Sequence, residues 1–248
     1  MRVALISDIH ANLPALRAVL DDSAKRDIDA IYHLGDLTGY APWPNETVEL
    51  LRERGIQGIA GNYDSTVATD YKHCGCRSEN PRQEELSHLS YEWTRAHISA
   101  ATKAYLASLP FRMDIRPLGG HVSGPGITLV HGNQTLNTVY VTEDRDDAFL
   151  SKMGSDLGAR ANDTVCFGHT HKPWHRAVGG VHFVNTGSVG RPKDGDPRAC
   201  YVILTPAESG PNVEFTRVSY EIDEAVAAIN AAGLPEEFGG QLRAGTSG

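Results

Sequence analysis

The chain has 248 residues, of which 40% are hydrophobic and 22% are charged, and its formal net charge at pH 7 is −8. This composition excludes a fibrous or largely disordered protein. The negative net charge also argues against stable binding to nucleic acid, because binding the phosphate backbone requires a cluster of basic residues on the surface. The first ten residues lack the apolar core of a signal peptide, and no stretch of about 18 apolar residues occurs that could span a bilayer. We therefore expect a cytoplasmic protein without a membrane partner.

The first half of the chain alternates short apolar runs with amphipathic stretches, which is typical of βαβ units and a parallel sheet. The expected strands cover residues 3–7, 30–34 and 56–60, and the expected helices cover residues 13–26 and 45–54. Asn12 is a candidate N-cap of the first helix, and Pro14 lies in its first turn. Residues 70–81 are polar and irregular, whereas residues 82–108 have helical character. This pattern predicts a largely helical, lid-like insertion at about 70–108.

The second half is richer in strands. Strands are expected at residues 111–116, 127–130, 164–167, 181–184, 199–205 and 213–220, and helices at 144–157 and 223–232. We expect residues 239–248 to form a loose tail. The sequence contains no internal repeat and no obvious linker. A single domain over residues 1–248 is therefore predicted, whose two halves supply two sheets of one core.

Five short motifs rich in metal-binding side chains lie where predicted strands end. They are Asp8-Ile9-His10, Gly35-Asp36-Leu37-Thr38-Gly39, Gly61-Asn62-Tyr63-Asp64, His131-Gly132 and Gly168-His169-Thr170-His171. In α/β proteins, ligands collect at the carboxyl ends of strands. In an extended segment, residues two apart point the same way, so Asp8 with His10, and His169 with His171, would each aim two ligands at one place. Mixed His, Asp and Asn ligands suit divalent manganese, iron or zinc.

In their order along the chain, these motifs resemble those of the calcineurin-like metallophosphoesterases, and especially the YfcE-type phosphodiesterases. The resemblance extends from Asp8 to about Pro197. It implies a four-layer α/β/β/α sandwich, in which two mixed β-sheets lie face to face with helices outside. It also implies two divalent metal ions, with manganese favoured and iron, zinc and nickel as alternatives.

The resemblance further implies a ligand set and a mechanism. One metal ion would be bound by Asp8, His10, Asp36 and His171, and the second by Asp36, Asn62, His131 and His169. Asp36 would then bridge the two ions, and Asp36 and Asn62 would also take part in catalysis. Two ions about 3.5–4 Å apart would lower the pKa of a shared water, and the resulting hydroxide would attack phosphorus in line.

One position departs from the family pattern. The family commonly has Gly-Asn-His-Asp or Gly-Asn-His-Glu, in which the histidine is thought to protonate the leaving oxygen, but this chain has Tyr63 at that position. A phenol has an unperturbed pKa of about 10 and is a poorer proton donor at neutral pH than an imidazolium. Tyr63 and its neighbour Asp64 remain candidate catalytic residues, and substrates with good leaving groups are favoured.

Two further segments are candidates for contact with substrate. The loop at residues 185–198 resembles the segment that closes the site in the YfcE-like branch, and it would bring Arg191 or Lys193 to a phosphate, beside Asn62. The sequence His73-Cys74-Gly75-Cys76 would suit a third metal ion or a redox pair. Since no second cluster with zinc-site spacing is visible, we favour a loop near the entrance to the site.

These features favour a phosphodiesterase that acts on small or nucleotide-like phosphodiesters. The same metal ions would also serve a phosphomonoesterase, a protein phosphatase or a dinucleoside polyphosphate hydrolase. A non-catalytic scaffold with the same fold is a third hypothesis, but such proteins tend to lose metal ligands, and this chain retains all of them. The insertion at about 70–108 is where we expect specificity to be set.

Overall fold

The computed structural model describes residues 1–76, 80–116 and 124–247. Two mixed five-stranded sheets form the centre of the molecule, with helices outside, so the predicted four-layer architecture is confirmed. The first sheet is built from β1 (Val3–Ile6), β2 (Ala30–His33), β3 (Gln57–Gly58), β9 (Ala199–Thr205) and β10 (Asn212–Val218). Its strand order is β10-β9-β1-β2-β3, in which β1, β2 and β3 are parallel and β9 and β10 pair antiparallel.

The second sheet consists of β4 (Arg112–Ile115), β5 (Ile127–Val130), β6 (Thr164–Phe167), β7 (Trp174–Val178) and β8 (Val181–Asn185). Its order is β4-β5-β6-β8-β7, with three parallel strands in the middle and an antiparallel strand at each edge. The carboxyl ends of the parallel strands in each sheet lead into the loops that carry the predicted metal ligands.

Side-chain alternation explains why strands from both sheets are buried on both faces. In β1, Val3 and Leu5 lie in the core shared with the second sheet, whereas Ala4 and Ile6 pack in the cluster beneath the outer helices. All four side chains are fully buried. The period of two in a strand sends alternate residues to opposite faces, so an uninterrupted apolar run is what a strand between two layers requires.

Eight helices occur in the described part of the chain. They are α1 (Leu13–Ser23), α2 (Pro44–Glu53), α3 (Asn62–Ala68), α4 (Pro81–His97), α5 (Ala100–Ser108), α6 (Asp147–Asp156), α7 (Ile222–Ala231) and α8 (Glu236–Ala244). The predicted cap of α1 is confirmed, since the side-chain oxygen of Asn12 accepts a hydrogen bond of 3.2 Å from the backbone nitrogen of Ala15. None of these helices is both long and apolar enough to cross a membrane.

Three elements were not expected from the sequence, namely α3, β7 and α8. The prediction of a loose tail at residues 239–248 was wrong for most of that segment, because residues 236–244 form α8. Adjacent glycines, Gly239 and Gly240, lower the intrinsic helix propensity. Packing outweighs this cost, since Phe238 and Leu242, one helical turn apart, are 2% and 5% exposed in a cluster with Ile229 of α7. Gly248 lies outside the described residues.

Candidate metal centre

The predicted ligands converge at the carboxyl ends of strands from both sheets. From the first sheet, Asp8 and His10 follow β1, Asp36 follows β2, and Asn62 follows β3 as the first residue of α3. From the second sheet, His131 follows β5, and His169 and His171 follow β6. All of these side chains are buried. The sheets therefore act as two rigid halves of one support, and neither sheet supplies the whole set.

Six of these side chains form two groups of three, and within each group the ligand atoms lie within 4.8 Å of one another. The first group is Asp8, His10 and His171, and the second is Asp36, His131 and His169. Each group combines residues from both sheets. This is the division implied by the family resemblance, with Asp36 in the second group.

The histidines of the centre are oriented by backbone carbonyls. Three Nδ1 atoms each face a carbonyl oxygen: His10 that of Thr38 at 3.1 Å, His131 that of Leu34 at 2.7 Å, and His171 that of Arg191 at 2.6 Å. A carbonyl oxygen only accepts, so Nδ1 carries the hydrogen and Nε2 of the neutral ring presents a lone pair. The Nε2 atoms of His10 and His171 are 3.1 Å apart. Two lone pairs at this distance repel each other, and a shared cation removes that repulsion.

The carboxylates have a similar division between a supported oxygen and an open one. One oxygen of Asp8, Oδ2, accepts hydrogen bonds from the Ser7 hydroxyl at 2.6 Å and from the backbone nitrogen of His169 at 3.0 Å. Its Oδ1 is buried without a hydrogen-bond partner among the described residues and lies 3.2 Å from Nε2 of His171. Nε2 of His169 is also buried and has no partner there. Such orphaned atoms are costly unless a ligand or an ion satisfies them.

Asp36 lies between the two groups. Its Oδ1 accepts a hydrogen bond of 2.8 Å from the backbone nitrogen of Tyr63. Its Oδ2 is 3.8 Å from Nε2 of His10 and 3.4 Å from Nε2 of His131, so one oxygen faces a histidine of each group. This position is the one that a bridging carboxylate requires.

Five ligand residues have left-handed backbone conformations. The φ angles are 51° for Asp8, 49° for His10, 53° for Asp36, 65° for His169 and 60° for His171. Such angles are uncommon outside glycine and cluster at functional sites. The expectation of extended segments was therefore wrong, although Asp8 and His10 do lie in one group, as expected. Because the backbone turns, His169 and His171 separate into different groups.

Two glycines allow the ligand loops to come this close. A Cβ atom on Gly61 would lie 2.1 Å from Oδ1 of Asp36, and one on Gly168 would lie 2.4 Å from Oδ2 of Asp8. Any larger residue would displace the carboxylate beside it. The glycines of the motifs are thus part of the geometry that fixes both acids.

Close packing of acids and imidazoles shifts their pKa values. Burial favours the neutral form of Asp8, but the adjacent imidazoles, above all that of His171, hold the pKa of its carboxyl well below the usual range. Burial likewise opposes a charge on His131, yet the carboxylates of Asp36 and Asp8 raise its pKa to about 10. Burial and the neighbouring His171 lower the pKa of His10. Without metal ions, the acids thus attract a proton to His131, which would have to leave when a metal ion binds.

Asn62 and Asp64 lie on the Gly61 motif but face different ways. The side-chain oxygen of Asn62 is 3.2 Å from Nε2 of His131, and its amide nitrogen donates a hydrogen bond of 3.0 Å to the carbonyl of Cys74. Both oxygens of Asp64 accept hydrogen bonds of 2.9 Å from backbone nitrogens, those of Leu37 and Gly61. Asp64 thus ties two ligand loops together. The catalytic role expected of Asp64 from the sequence stays a prediction.

Tyr63 is fully buried beside the centre. Its hydroxyl donates a hydrogen bond of 3.0 Å to the hydroxyl of Ser90, which belongs to α4. Burial raises the pKa of this phenol well above its ordinary value, and the nearby Tyr40 adds to the shift. The raised pKa makes this phenol a poorer proton donor at neutral pH than an imidazolium, and a catalytic role for Tyr63 stays a prediction.

A cavity of about 450 Å³ opens above the two groups. Its walls include the predicted substrate contacts Arg191 and Lys193, together with Tyr40 and Tyr140. The ring of Tyr40 is 5.0 Å from that of His10, and the ring of Tyr140 is 4.1 Å from that of His169. Sequence reasoning missed Tyr140 and also Ser247, which lines the cavity near the end of the described chain. No motif or periodicity marks either residue.

The cysteine-containing loop is also part of the cavity wall. Cys74 and Cys76 are joined by a disulfide, and Cys76 lines the cavity. Within the described ranges, metal-binding side chains cluster only in the two groups above. The position of Cys76 agrees with the loop near the entrance to the site that the sequence favours, while a third metal ion and a redox role stay sequence-based alternatives.

Comparison with known proteins agrees with this geometry. Residues 1–209 match the sequence profile of the calcineurin-like phosphoesterase superfamily domain. An uncharacterized protein of Methanocaldococcus jannaschii is 31% identical in an alignment 262 residues long, gaps included, that covers 97% of this chain and 96% of that protein. The crystal structure of a metallophosphoesterase from Sphaerobacter thermophilus has 32% identity and a TM-score of 0.75, and covers 99% of both chains.

The similarity to the YfcE branch is a similarity of fold. The E. coli phosphoesterase Yfce has a TM-score of 0.50 and 21% identity, over 88% of this chain and 100% of that one. The superfamily profile ends at residue 209, so α7 and α8 lie beyond the matched region.

Proposed function

Because the chain belongs to the calcineurin-like phosphoesterase superfamily, we propose that this metal-dependent phosphoester hydrolase is a phosphodiesterase for small or nucleotide-like diesters. The proposal rests on the two buried groups of metal-binding side chains. The first group is Asp8, His10 and His171, and the second is Asp36, His131 and His169. Their inward-facing lone pairs and orphaned carboxylate oxygen suit two divalent cations better than any arrangement of protons. Manganese is the first metal to test.

Side chains from both groups would hold the two ions. Asp36 would hold both ions, since its Oδ2 faces His10 and His131 while its Oδ1 accepts the hydrogen bond from the backbone nitrogen of Tyr63. Asn62 would offer its side-chain oxygen to the second ion, since its amide hydrogens point to the loop of Cys74. When bound, two such ions supply a nucleophile at neutral pH by acidifying water and neutralise charge on the phosphate.

The walls of the cavity favour a diester. Tyr40 stands beside His10 of the first group, and Tyr140 stands beside His169 of the second, so an apolar surface flanks each ion position. A diester has an organic substituent on each side of its phosphorus, and both surfaces would then be used. The buried hydroxyl of Tyr63 is a weak proton donor, so good leaving groups are favoured.

One observation favours a phosphomonoesterase as the second candidate. The guanidinium of Arg191, which is 5% exposed at the cavity wall, would be better matched by the extra negative charge of a monoester.

The test is hydrolysis of bis-p-nitrophenyl phosphate beside p-nitrophenyl phosphate, using metal-stripped protein that has been resupplied with manganese. We expect faster turnover of the diester and a loss of about 10³-fold or more in Asp36→Asn, which removes the bridging charge. Faster turnover of the monoester would favour the second candidate. A protein that binds two metal ions and hydrolyses neither substrate would contradict both and favour a scaffold.

A further inference from the structure

Arg191 carries a buried charge that the described residues leave without an acidic partner. It lies in the loop after β8, is 5% exposed and lines the cavity above the two metal groups. Its side chain forms one hydrogen bond within the described part of the chain, of 2.6 Å, from Nη2 to the side-chain oxygen of Gln241. Gln241 is neutral, so this hydrogen bond gives the guanidinium no counter-charge.

A buried guanidinium without a counter-charge is unusual, because removing a charge from water is costly unless the charge is paired. Two bound metal ions would add to the positive potential. An anion that entered the cavity would satisfy the guanidinium and the ions together. The planar guanidinium suits the oxygens of a phosphate group, to which it can donate two parallel hydrogen bonds.

The orientation of Arg191 depends on α8. Gln241, in the middle of this helix, is itself 5% exposed, and its amide nitrogen donates a hydrogen bond of 3.0 Å to the carbonyl of Ser247. The guanidinium carbon lies 3.8 Å from the centre of the Tyr40 ring and 6.0 Å from that of Phe238, which also belongs to α8. One neutral hydrogen bond and aromatic rings hold the cation in place without neutralising it.

We propose that Gln241 is a positioning residue that holds Arg191 as the phosphate-binding cation, so that α8 completes the substrate site beyond the end of the superfamily profile. The proposal rests on the proposed phosphoesterase function. A neutral residue is required at position 241, because a carboxylate there would pair with Arg191 and repel the phosphate.

The decisive variant is Gln241→Glu, which keeps the size of the side chain and the hydrogen bond from Arg191, adds a negative charge, and loses the hydrogen bond to Ser247, a loss that Gln241→Ala shares. The controls are Gln57→Glu, which adds the same charge at an exposed position of β3 outside the cavity, and Gln241→Ala. For each protein, loaded with manganese, the affinity for inorganic phosphate is measured by calorimetry, together with KM, kcat, metal content and the melting temperature.

We expect Gln241→Glu to weaken phosphate binding and raise KM by about tenfold or more, because the hydrogen bond becomes an ion pair that competes with the phosphate. Metal content should stay the same and kcat should change less than KM. Gln241→Ala should weaken phosphate binding by roughly threefold to tenfold, and Gln57→Glu should match the wild type.

A folded, metal-loaded Gln241→Glu protein whose phosphate affinity is within twofold of the wild type would overturn the proposal. If Gln241→Glu does not fold, a cycle of Gln241→Ala, Arg191→Gln and the double variant decides: additive losses in phosphate affinity contradict the coupling, and smaller combined losses support it. If the wild type binds fewer than two metal ions, the proposed function fails, whereas the dependence of phosphate affinity on Gln241 is still measurable in the metal-free protein.

Discussion

The floor and the wall of the cavity are held in different ways. The floor consists of the seven residues assigned to the metal ions, which lie in the loops after the strands, and three of its histidines are oriented by backbone carbonyls. The wall, which includes Tyr40, Tyr140 and Arg191, depends on ring contacts and on support from α8, a helix packed from a distant part of the chain. A strand-borne floor tolerates little movement, whereas a helix-borne wall can change its side chains without disturbing the floor. The reaction and its specificity are therefore separable in this molecule.

Removal of the metal ions should have the largest effect, and that effect should be confined to the floor. Each group joins residues from the two sheets, such as Asp8 and His171, so bound ions cross-link the sheets. Ligand held at about 100 times its dissociation constant contributes about 2.7 kcal/mol per site, and we expect chelation of both ions to lower the melting temperature by roughly 10–20 °C and abolish hydrolysis.

The measurement is calorimetry with and without a chelator, followed by addition of manganese, which should restore both properties. The same scan on Gln241→Ala should show an equal shift, because α8 holds no ligand. A melting temperature that is independent of metal ions would contradict the cross-link between the sheets.

Two glycine variants compare the floor and the wall directly. Gly61→Ala would bring a Cβ atom within 2.1 Å of Oδ1 of Asp36, so the carboxylate would have to move by about 1 Å, and a misplacement of this size costs about 100-fold in kcat/KM. Gly240→Ala, on the exposed side of α8, meets no atom within 4 Å and should raise stability by up to about 1 kcal/mol through helix propensity.

Steady-state kinetics and thermal unfolding of both variants test this contrast. Similar activity losses in the two variants would show that the wall and its supporting helix are as sensitive to an added methyl group as the floor.

Removal of the Tyr63 hydroxyl should have the smallest effect. Tyr63→Phe keeps the ring and loses the hydrogen bond to Ser90 and a longer one of 3.4 Å to the carbonyl of Ser87, so we expect a loss of stability of about 1 kcal/mol. We also expect kcat/KM for p-nitrophenyl esters to change by less than about threefold, because this hydroxyl does not serve as the acid. Kinetics with substrates of increasing leaving-group pKa check the expectation, and a loss that grows steeply with that pKa would restore Tyr63 as the proton donor.

The sequence predicts the floor better than the wall for a physical reason. The ligands follow apolar runs, such as Ile127–Val130 and Thr164–Phe167, that are buried on both faces and are read directly as strands. The wall has no such signal. The pair of glycines in α8 disfavours a helix, and only the burial of Phe238 and Leu242 against α7 decides the outcome. Tyr140 comes from an irregular segment whose position depends on packing that no local pattern encodes.

Even within the floor, sequence patterns predict which residues are ligands better than they predict how those residues are arranged. Period-two alternation would place His169 and His171 side by side, but positive φ angles turn them toward different groups. That turn follows from the way β6 meets the first sheet, where Gly168 packs against Ser7 and Asp8. Such contacts join residues about 160 positions apart, and they lie beyond the range of any sequence pattern.

The left-handed backbone at five ligands also restricts how the centre can decay over evolutionary time. Asparagine, aspartate and glycine adopt positive φ at low cost, whereas valine, isoleucine and threonine do not. At Asp8 or His169, a lineage that abandoned metal binding would lose the ligand most readily to asparagine or glycine. The turns would then outlast the chemistry, and a descendant that no longer binds metal would still carry their imprint in its sequence.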